Sequence, residues 1–159
     1  MFMNINKKAK MKYLSILTKS VLVIILFLIL DSCGSITAGS YPYAERYTIH
    51  KDEATLIKDV IDFKIENPKY TLPSEARLKD GRKNKSLWYS VYFYYPKEGE
   101  IVFACLRPKR MGVTTLYLVS INEGLRLGNW KDINKDFDLV ENNRQKKKFE
   151  ELILKKISN

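Results

Sequence analysis

A chain of 159 residues is long enough for one ordinary domain and too short for two. With 45% hydrophobic residues it can build a packed core, which excludes a chain that is disordered throughout. The formal net charge is +10, but five lysines precede Cys33 against a single acid, Asp31. The remaining chain is basic without the profile of a dedicated nucleic-acid-binding domain, so we expect no nucleic-acid partner.

The N-terminal segment has the pattern of a signal peptide. The cationic stretch "NKKAKMK" precedes the apolar run "VLVIILFLIL", which covers residues 21–30. A bilayer-spanning helix needs about 20 apolar residues, whereas a run of about 10 to 14 suits the core of a signal peptide. We therefore predict a signal peptide over residues 1–32. The alternative is a short signal anchor that is not cleaved.

The stretch "LDSC" at the end of the apolar run resembles the lipobox of bacterial lipoprotein precursors. Leu30, Ser32 and Cys33 match that motif, whereas Asp31 stands where a small or apolar residue is usual. The resemblance implies that a diacylglyceryl group is attached to the Cys33 sulfur and that cleavage occurs just before Cys33. Two or more acyl chains anchor a protein stably, whereas one chain binds only marginally. The alternatives are an ordinary cysteine in an uncleaved anchor, or a disulfide with Cys105.

The residues after Cys33 indicate a location. In well-studied lipoproteins an aspartate at this point favours retention at the inner membrane, whereas this chain has Gly34. The "SCG" junction also resembles the lipoproteins of Bacteroidota, but the acidic cluster of their surface-export signal is missing. The resemblance therefore implies a cell-envelope protein that is lipid-anchored in the outer membrane and faces the periplasm. Residues 33–47 form the expected lipidated cysteine and tether.

The expected folded domain covers residues 48–159 and begins with a helix. Within "KDEATLIKDVIDFKIENP" apolar residues recur at helical spacing, and Pro68 ends the pattern. A second helix is predicted within "DLVENNRQKKKFEELILKKI", with Lys146, Lys147 and Lys148 facing water. The residues predicted to face inward are Leu56, Ile57, Val60, Ile61 and Ile65 on the first helix, and Val140, Phe149, Leu152, Ile153 and Ile157 on the second.

Between the helices the apolar period changes to two, which is typical of strands. The strands are predicted within "SLWYSVYFYYP", "EIVFACLRP" and "VTTLYLVSI", with "PKEG" as a hairpin connection and "LRLGNW" as a candidate short edge strand. The fold class is therefore α+β. We expect an antiparallel sheet of three to four strands, flanked in sequence by an N-terminal and a C-terminal helix and packed in two layers.

Both faces of this sheet are apolar, although a sheet with one wet face alternates apolar and polar residues. On the first strand Tyr89, Val91, Phe93 and Tyr95 oppose Trp88, Ser90, Tyr92 and Tyr94. On the third, Val113, Tyr117, Val119 and Ile121 oppose Leu116 and Leu118. Two arrangements stay open. Helices on one side would leave Trp88, Tyr92 and Tyr94 as an exposed patch, whereas one helix on each side would bury them.

Residues suited to catalysis are few. His50 is the only histidine, Cys105 lies mid-strand among apolar neighbours, and no phosphate-binding glycine loop is present. We expect no enzyme activity, no cofactor and no metal. The candidate binding residues are Trp88, Tyr92 and Tyr94, with the basic loop Arg77, Lys79, Arg82, Lys83 and Lys85.

Two functions fit this pattern. The first is a non-catalytic envelope lipoprotein that presents its domain to an envelope protein partner, in an assembly or immunity-type role. The alternative is a binding module for cell-wall glycan or anionic lipid. A flat apolar sheet face favours the first function, and an open groove lined by the aromatic residues favours the second.

Overall fold

The structure, a computed structural model, describes residues 41–84 and 86–159. The predicted signal peptide, Cys33 and the tether as far as residue 40 lie outside the described residues, as does Lys85. Within the two described ranges, no helix combines the length and apolar character needed to cross a bilayer. The strands are β1 (Glu45–Ile49), β2 (Gly81–Arg82), β3 (Tyr89–Tyr95), β4 (Glu100–Arg110), β5 (Val113–Glu123) and β6 (Trp130–Asp132). The helices are α1 (Glu53–Glu66), α2 (Leu139–Phe149) and α3 (Lys155–Ile157).

The strands of the described residues form one antiparallel sheet in the order β1–β5–β4–β3–β2. β1 pairs with the first part of β5 and β6 pairs with its last part. The fold class α+β is confirmed, but three to four strands undercount a sheet of six. The additional strands are short edge elements, and β1 begins inside the predicted tether.

Helix α1 begins where the sequence pattern places it. The Asp52 side chain accepts a hydrogen bond from the Thr55 N–H at 2.9 Å, which caps the first turn. The buried stripe, however, consists of Leu56, Val60 and Phe63. The prediction that Ile61 and Ile65 face inward is wrong, because both are exposed. The large Phe63 ring packs on Tyr70 and Phe93 and turns the neighbouring isoleucine stripe towards solvent.

Helix α2 continues through a π-helical segment, Glu150–Leu154, into α3. Phe149, Ile153 and Ile157 are fully buried, as predicted. In an α-helix, side chains four residues apart do not point in quite the same direction, because one turn contains 3.6 residues. The wider turn of the π-helical segment reduces this offset and keeps Phe149, Ile153 and Ile157 on one side. Val140 was predicted to face inward and is instead 80% exposed, because Asn142 and Gln145 occupy the inward side of the first turns.

The basic residues of α2 differ in exposure. Lys147 faces solvent, but Lys148 packs its ammonium 4.0 Å from the Tyr95 ring centroid and pairs with Glu98 and Glu100. Lys146 pairs with Glu45 at 3.2 Å. The expectation that all three lysines are simply solvated is therefore wrong for two of them, because both link α2 to the sheet.

Both helical segments lie on the same face of the sheet, which decides between the two arrangements left open by the sequence. Phe93 and Leu118 on that face belong to one buried cluster with Leu56 of α1 and Phe149 of α2. We call this side the helix-covered face. The opposite side, which carries Trp88, Tyr92, Tyr94, Phe103, Cys105 and Tyr117, is the helix-free face.

A β-bulge at Val119 changes which side chains of β5 reach each face. Phe103 pairs with Ser120 and Ala104 with Leu118, so Val119 is an extra residue in the ladder. Ile121 therefore joins the helix-covered cluster, which corrects its predicted place beside Tyr117 and Val119. The Val119 carbonyl accepts a hydrogen bond from the Ile133 N–H at 2.9 Å, so the bulge does not leave it unpaired.

Candidate functional site

A continuous group of aromatic rings crosses the helix-free face. Trp88 meets Tyr117 edge to face with ring centroids 4.8 Å apart, and Tyr41 packs on Trp88 at 5.3 Å. Phe103 joins this group through Tyr41 at 5.5 Å and stacks on Tyr92 at 5.0 Å. Such pairs stabilise one another beyond their buried area. We call this group the aromatic row, and its members are Tyr117, Trp88, Tyr41, Phe103, Tyr92 and Trp130.

Irregular chain segments, rather than a helix, cover part of this face. Ala44 is buried next to Tyr41 in the middle of the row. Towards one end Ala76, with Leu72 and Leu78, packs on Tyr92 and Ile101. Tyr92 is consequently only 7% exposed, whereas Trp88 and Tyr94 are half-buried. Of the three aromatic residues predicted to share a surface patch, Tyr92 belongs to a small second core.

Two arginines flank the row. The Arg46 guanidinium lies 5.7 Å from the Tyr117 ring centroid, and that of Arg107 lies 5.1 Å from the centroid of Trp88. Both distances are within the range of cation–π attraction. In the described part of the chain, neither guanidinium lies within ion-pair distance of a carboxylate. These positive charges are therefore not neutralised by the described residues.

The basic loop forms an open cavity of about 380 Å³ at the β2 edge of the same face. Tyr92 and Ser90 supply the wall from the sheet, and the loop supplies four cations. The cavity thus brings together Tyr92, Arg82 and Lys83 of the predicted binding residues, but Trp88 and Tyr94 do not line it. Its lining is Arg77, Leu78, Lys79, Asp80, Gly81, Arg82, Lys83, Ser90 and Tyr92.

Two charged residues of this lining hold the loop in place. Asp80 accepts a hydrogen bond from the Tyr92 N–H at 2.9 Å and pairs with Lys64, whose ammonium donates to the Tyr92 carbonyl at 2.7 Å. Burial lowers the pKa of Lys64, although Asp80 acts in the opposite direction. Arg82 pairs with Glu53 of α1 and donates to the Ser86 carbonyl.

The remaining cations of the cavity are Arg77, Lys79 and Lys83. Among the described residues none of them forms an ion pair. Arg77 has a left-handed backbone with φ of 54°, directly after the short 3₁₀ turn Ser74–Ala76. The loop therefore offers three positive side chains to a ligand.

The titratable groups nearest to nucleophilic chemistry are poorly placed for it. Cys105 is fully buried, and burial raises the pKa of its thiol to about 12. A thiol with such a pKa carries almost no thiolate at neutral pH. His50 is exposed in the turn between β1 and α1. Within the described residues, no group of three or more histidine, cysteine or acidic side chains is arranged to hold a metal ion.

Several residues of this face are not among the predicted binding residues. The pattern of β4 already places Phe103 on one face with Cys105, and Arg107 extends the same alternation. Tyr41 and Arg46 lie in the segment taken as tether, and their contacts depend on pairing with distant β5. No local pattern signals such a pairing.

Comparisons of the chain with protein-family models, with curated proteins and with solved structures give no match. The features that bear on function are the aromatic row, its two flanking arginines and the basic cavity beside Tyr92.

Proposed function

We propose that the chain is an envelope lipoprotein anchored through acyl chains on Cys33, in the outer membrane and facing the periplasm. Its folded domain has no catalytic role and binds an anionic component of the envelope, either a cell-wall glycan or a lipid. The anchor is supported by the sequence pattern alone, in which a cationic flank and a short apolar run end at "LDSC". The binding surface is the helix-free face.

The open basic cavity is the observation that carries the proposed binding. Arg77, Lys79 and Lys83 have no ion-pair partner among the described residues, and all three line the open cavity next to Tyr92. Guanidinium and ammonium groups donate charge-assisted hydrogen bonds to phosphate and carboxylate oxygens. The Tyr92 ring is stacked on Phe103 and only 7% exposed, so it closes the cavity rather than offering a ring face to a ligand. An anionic glycan or lipid headgroup suits the three cations.

A protein partner is the second candidate, and the aromatic row favours it. Trp88 and Tyr117 are half-buried, with the Arg107 guanidinium beside Trp88 and that of Arg46 beside Tyr117. Tryptophan, tyrosine and arginine are the residue types that dominate binding energy in protein interfaces. The two candidates use different parts of the same face, so variants can separate them.

Two measurements test the proposal. Intact mass of the protein extracted from membranes checks the anchor, with a diacylated or triacylated Cys33 as the expected N-terminus. Binding is measured by titrating the detergent-solubilised protein with heparin as a generic polyanion and with dextran as a neutral control. We expect heparin to bind, dextran not to bind, and the Lys79→Glu, Lys83→Glu double variant to weaken heparin binding at least about tenfold.

A matched control separates the effect of the cavity from the effect of the total charge. Lys58→Glu with Lys147→Glu makes the same change of charge at two exposed lysines of α1 and α2. An equal loss of heparin binding in both double variants would reject the cavity as the site. If the cavity variant binds heparin fully and Trp88→Ala does not bind it, the heparin site is the aromatic row instead.

A further inference from the structure

Tyr41, eight positions after Cys33, belongs to the helix-free face. Tyr41 packs edge to face on both Trp88 and Phe103, and its carbonyl accepts a hydrogen bond from the Ala44 N–H. Tyr41 is thus fixed to the aromatic row. A tether from Cys33 would join the domain at this face.

The tether is short. Eight residue steps separate Cys33 from Tyr41, and a fully extended chain of that length spans at most about 28 Å. A domain held this closely experiences a high effective concentration of the surface to which it is tethered. Even a weak attraction between that surface and the domain is then sufficient to orient it.

The charges of the domain differ between its two sides in a way that provides such an attraction. On the helix side most lysines pair with an acid, as Lys51 does with Asp59 and Lys148 with Glu100, and Lys155 and Lys156 are the exposed lysines of α3 without an ion pair among the described residues. On the helix-free side five cations have no ion-pair partner among the described residues. They are Arg46 and Arg107 beside the aromatic row, and Arg77, Lys79 and Lys83 at the cavity.

The side chains of this face also suit a lipid–water interface. Tryptophan and tyrosine place an apolar ring and a polar tip at the level of the headgroups, and cations attract anionic lipids. Trp88 lies next to Arg107, and Tyr117 lies next to Arg46. Each pair combines an interfacial ring with a positive charge.

We propose that the helix-free face docks on the anionic lipid headgroups of the membrane that holds the Cys33 anchor. This inference rests on the proposed function, because it requires the lipidated cysteine. It also commits the anionic partner to one source, the adjacent bilayer. The helices and the acidic side chains that they carry then face away from the membrane.

Brominated lipids test the orientation. The full chain, purified with its anchor, is reconstituted into vesicles of brominated phosphatidylcholine with or without phosphatidylglycerol. Trp88 and Trp130 are the two tryptophans, so Trp130→Phe leaves Trp88 as the reporter. We expect bromine quenching of Trp88 to be at least about twofold stronger in the anionic vesicles. High salt should remove that difference, because salt screens the attraction.

Charge variants check the cause. In the same reporter background, Arg46→Glu with Arg107→Glu should abolish the anionic preference, and Lys58→Glu with Lys147→Glu should leave it unchanged. Circular dichroism melting verifies that each variant is folded. Lys79→Glu with Lys83→Glu, in an exposed loop, provides a second test if the arginine variant does not fold.

The possible failures are distinguishable. A protein without acyl chains on Cys33 by intact mass overturns the proposed anchor and, with it, this docking. A lipidated protein in which Trp88 is quenched in neither vesicle overturns the docking and leaves the anchor intact. Equal quenching in both vesicles, unaffected by charge reversal, also overturns it, because the tether alone then brings the face close. A photo-crosslinker at Tyr117 that captures an envelope protein, with no quenching of Trp88, assigns the face to a protein partner instead.

Discussion

The two faces of the sheet are built from the same strands but are closed in different ways. On the helix-covered face, Phe93 and Leu118 meet complementary side chains from α1 and α2 and are excluded from water completely. On the helix-free face, aromatic rings pack on one another and on irregular segments, and several remain half-buried. A face covered by regular helices forms the main core, whereas a face covered by loops keeps side chains accessible for binding.

Cys105 tests how completely the helix-free face is closed at its centre. It is fully buried there, so we expect a thiol reagent to label it only when the domain unfolds. For a domain of ordinary stability, about 5 kcal/mol or more, labelling should be at least about a thousandfold slower than in denaturant. The measurement is mass-detected labelling of a Cys33→Ala variant, which has no other thiol. Fast labelling in the absence of denaturant would show that the loops open locally.

A matched pair of phenylalanines measures the difference between the faces. Phe93 is fully buried on the helix-covered face, and Phe103 is half-buried on the other. We expect Phe93→Ala to lower the free energy of unfolding by about 3 to 5 kcal/mol because it leaves a cavity. For Phe103→Ala the expected loss is about 1 to 2 kcal/mol, since part of the ring already faces water. Urea denaturation followed by circular dichroism gives both values, and equal losses would contradict the comparison.

Two tyrosines within the helix-free face show how strongly the covering loop protects each of them. Tyr92 lies under Ala76 and stacks on Phe103, whereas Tyr94 is only half-buried. Tyr92→Ala should therefore cost about 3 kcal/mol of stability, and Tyr94→Ala about 1 kcal/mol. Tyr92→Phe serves as the control, because it keeps the ring and removes only the hydroxyl. If Tyr92→Ala melts like the wild type, the loop does not seal this end of the row.

The smallest expected effect is a pH dependence from Cys105. Burial raises its pKa to about 12 in the folded state, above the ordinary value of about 8.5 in the unfolded chain. Its contribution to stability is therefore fully present below the ordinary pKa and is lost as the pH rises towards 12. Between pH 9 and 10 the free energy of unfolding should fall by about 1.2 kcal/mol, because the unfolded thiol is already mostly ionised and the buried one is not. Denaturation across this range should show a flatter slope for Cys105→Ala, and an identical slope would assign the change to other groups.

Local patterns predicted the parts of the fold that local chemistry determines. The alternation of β3 and β4 places Phe93 and Phe103 on opposite faces, and the helical spacing of Leu56 and Val60 places both on the buried side of α1. Successive side chains of a strand point to opposite faces of the sheet, whatever covers those faces. The sequence therefore predicts which side chains share a face of the sheet, but it does not predict which face the helices cover.

Other features depend on distant contacts and have no local signal. β1 becomes a strand because β5 offers it an edge, and the bulge at Val119 shifts the alternation beyond it. The rotation of α1 depends on how well Phe63 fits against Phe93. For the candidate site, the basic loop was recognisable from its composition. The contact of Tyr41 with Trp88 required the folded chain.

The bonds around Tyr92 also bear on how the protein avoids aggregation. β2 pairs with β3 only at Tyr89 and Ser90, so the rest of β3 borders no further strand of the described sheet. An open strand edge can template pairing with another molecule. Here the Asp80 carboxylate accepts a hydrogen bond from the Tyr92 N–H, and the Lys64 ammonium donates one to the Tyr92 carbonyl. One ion pair thus takes both backbone groups of Tyr92, one of the positions at which a foreign strand would add to this edge.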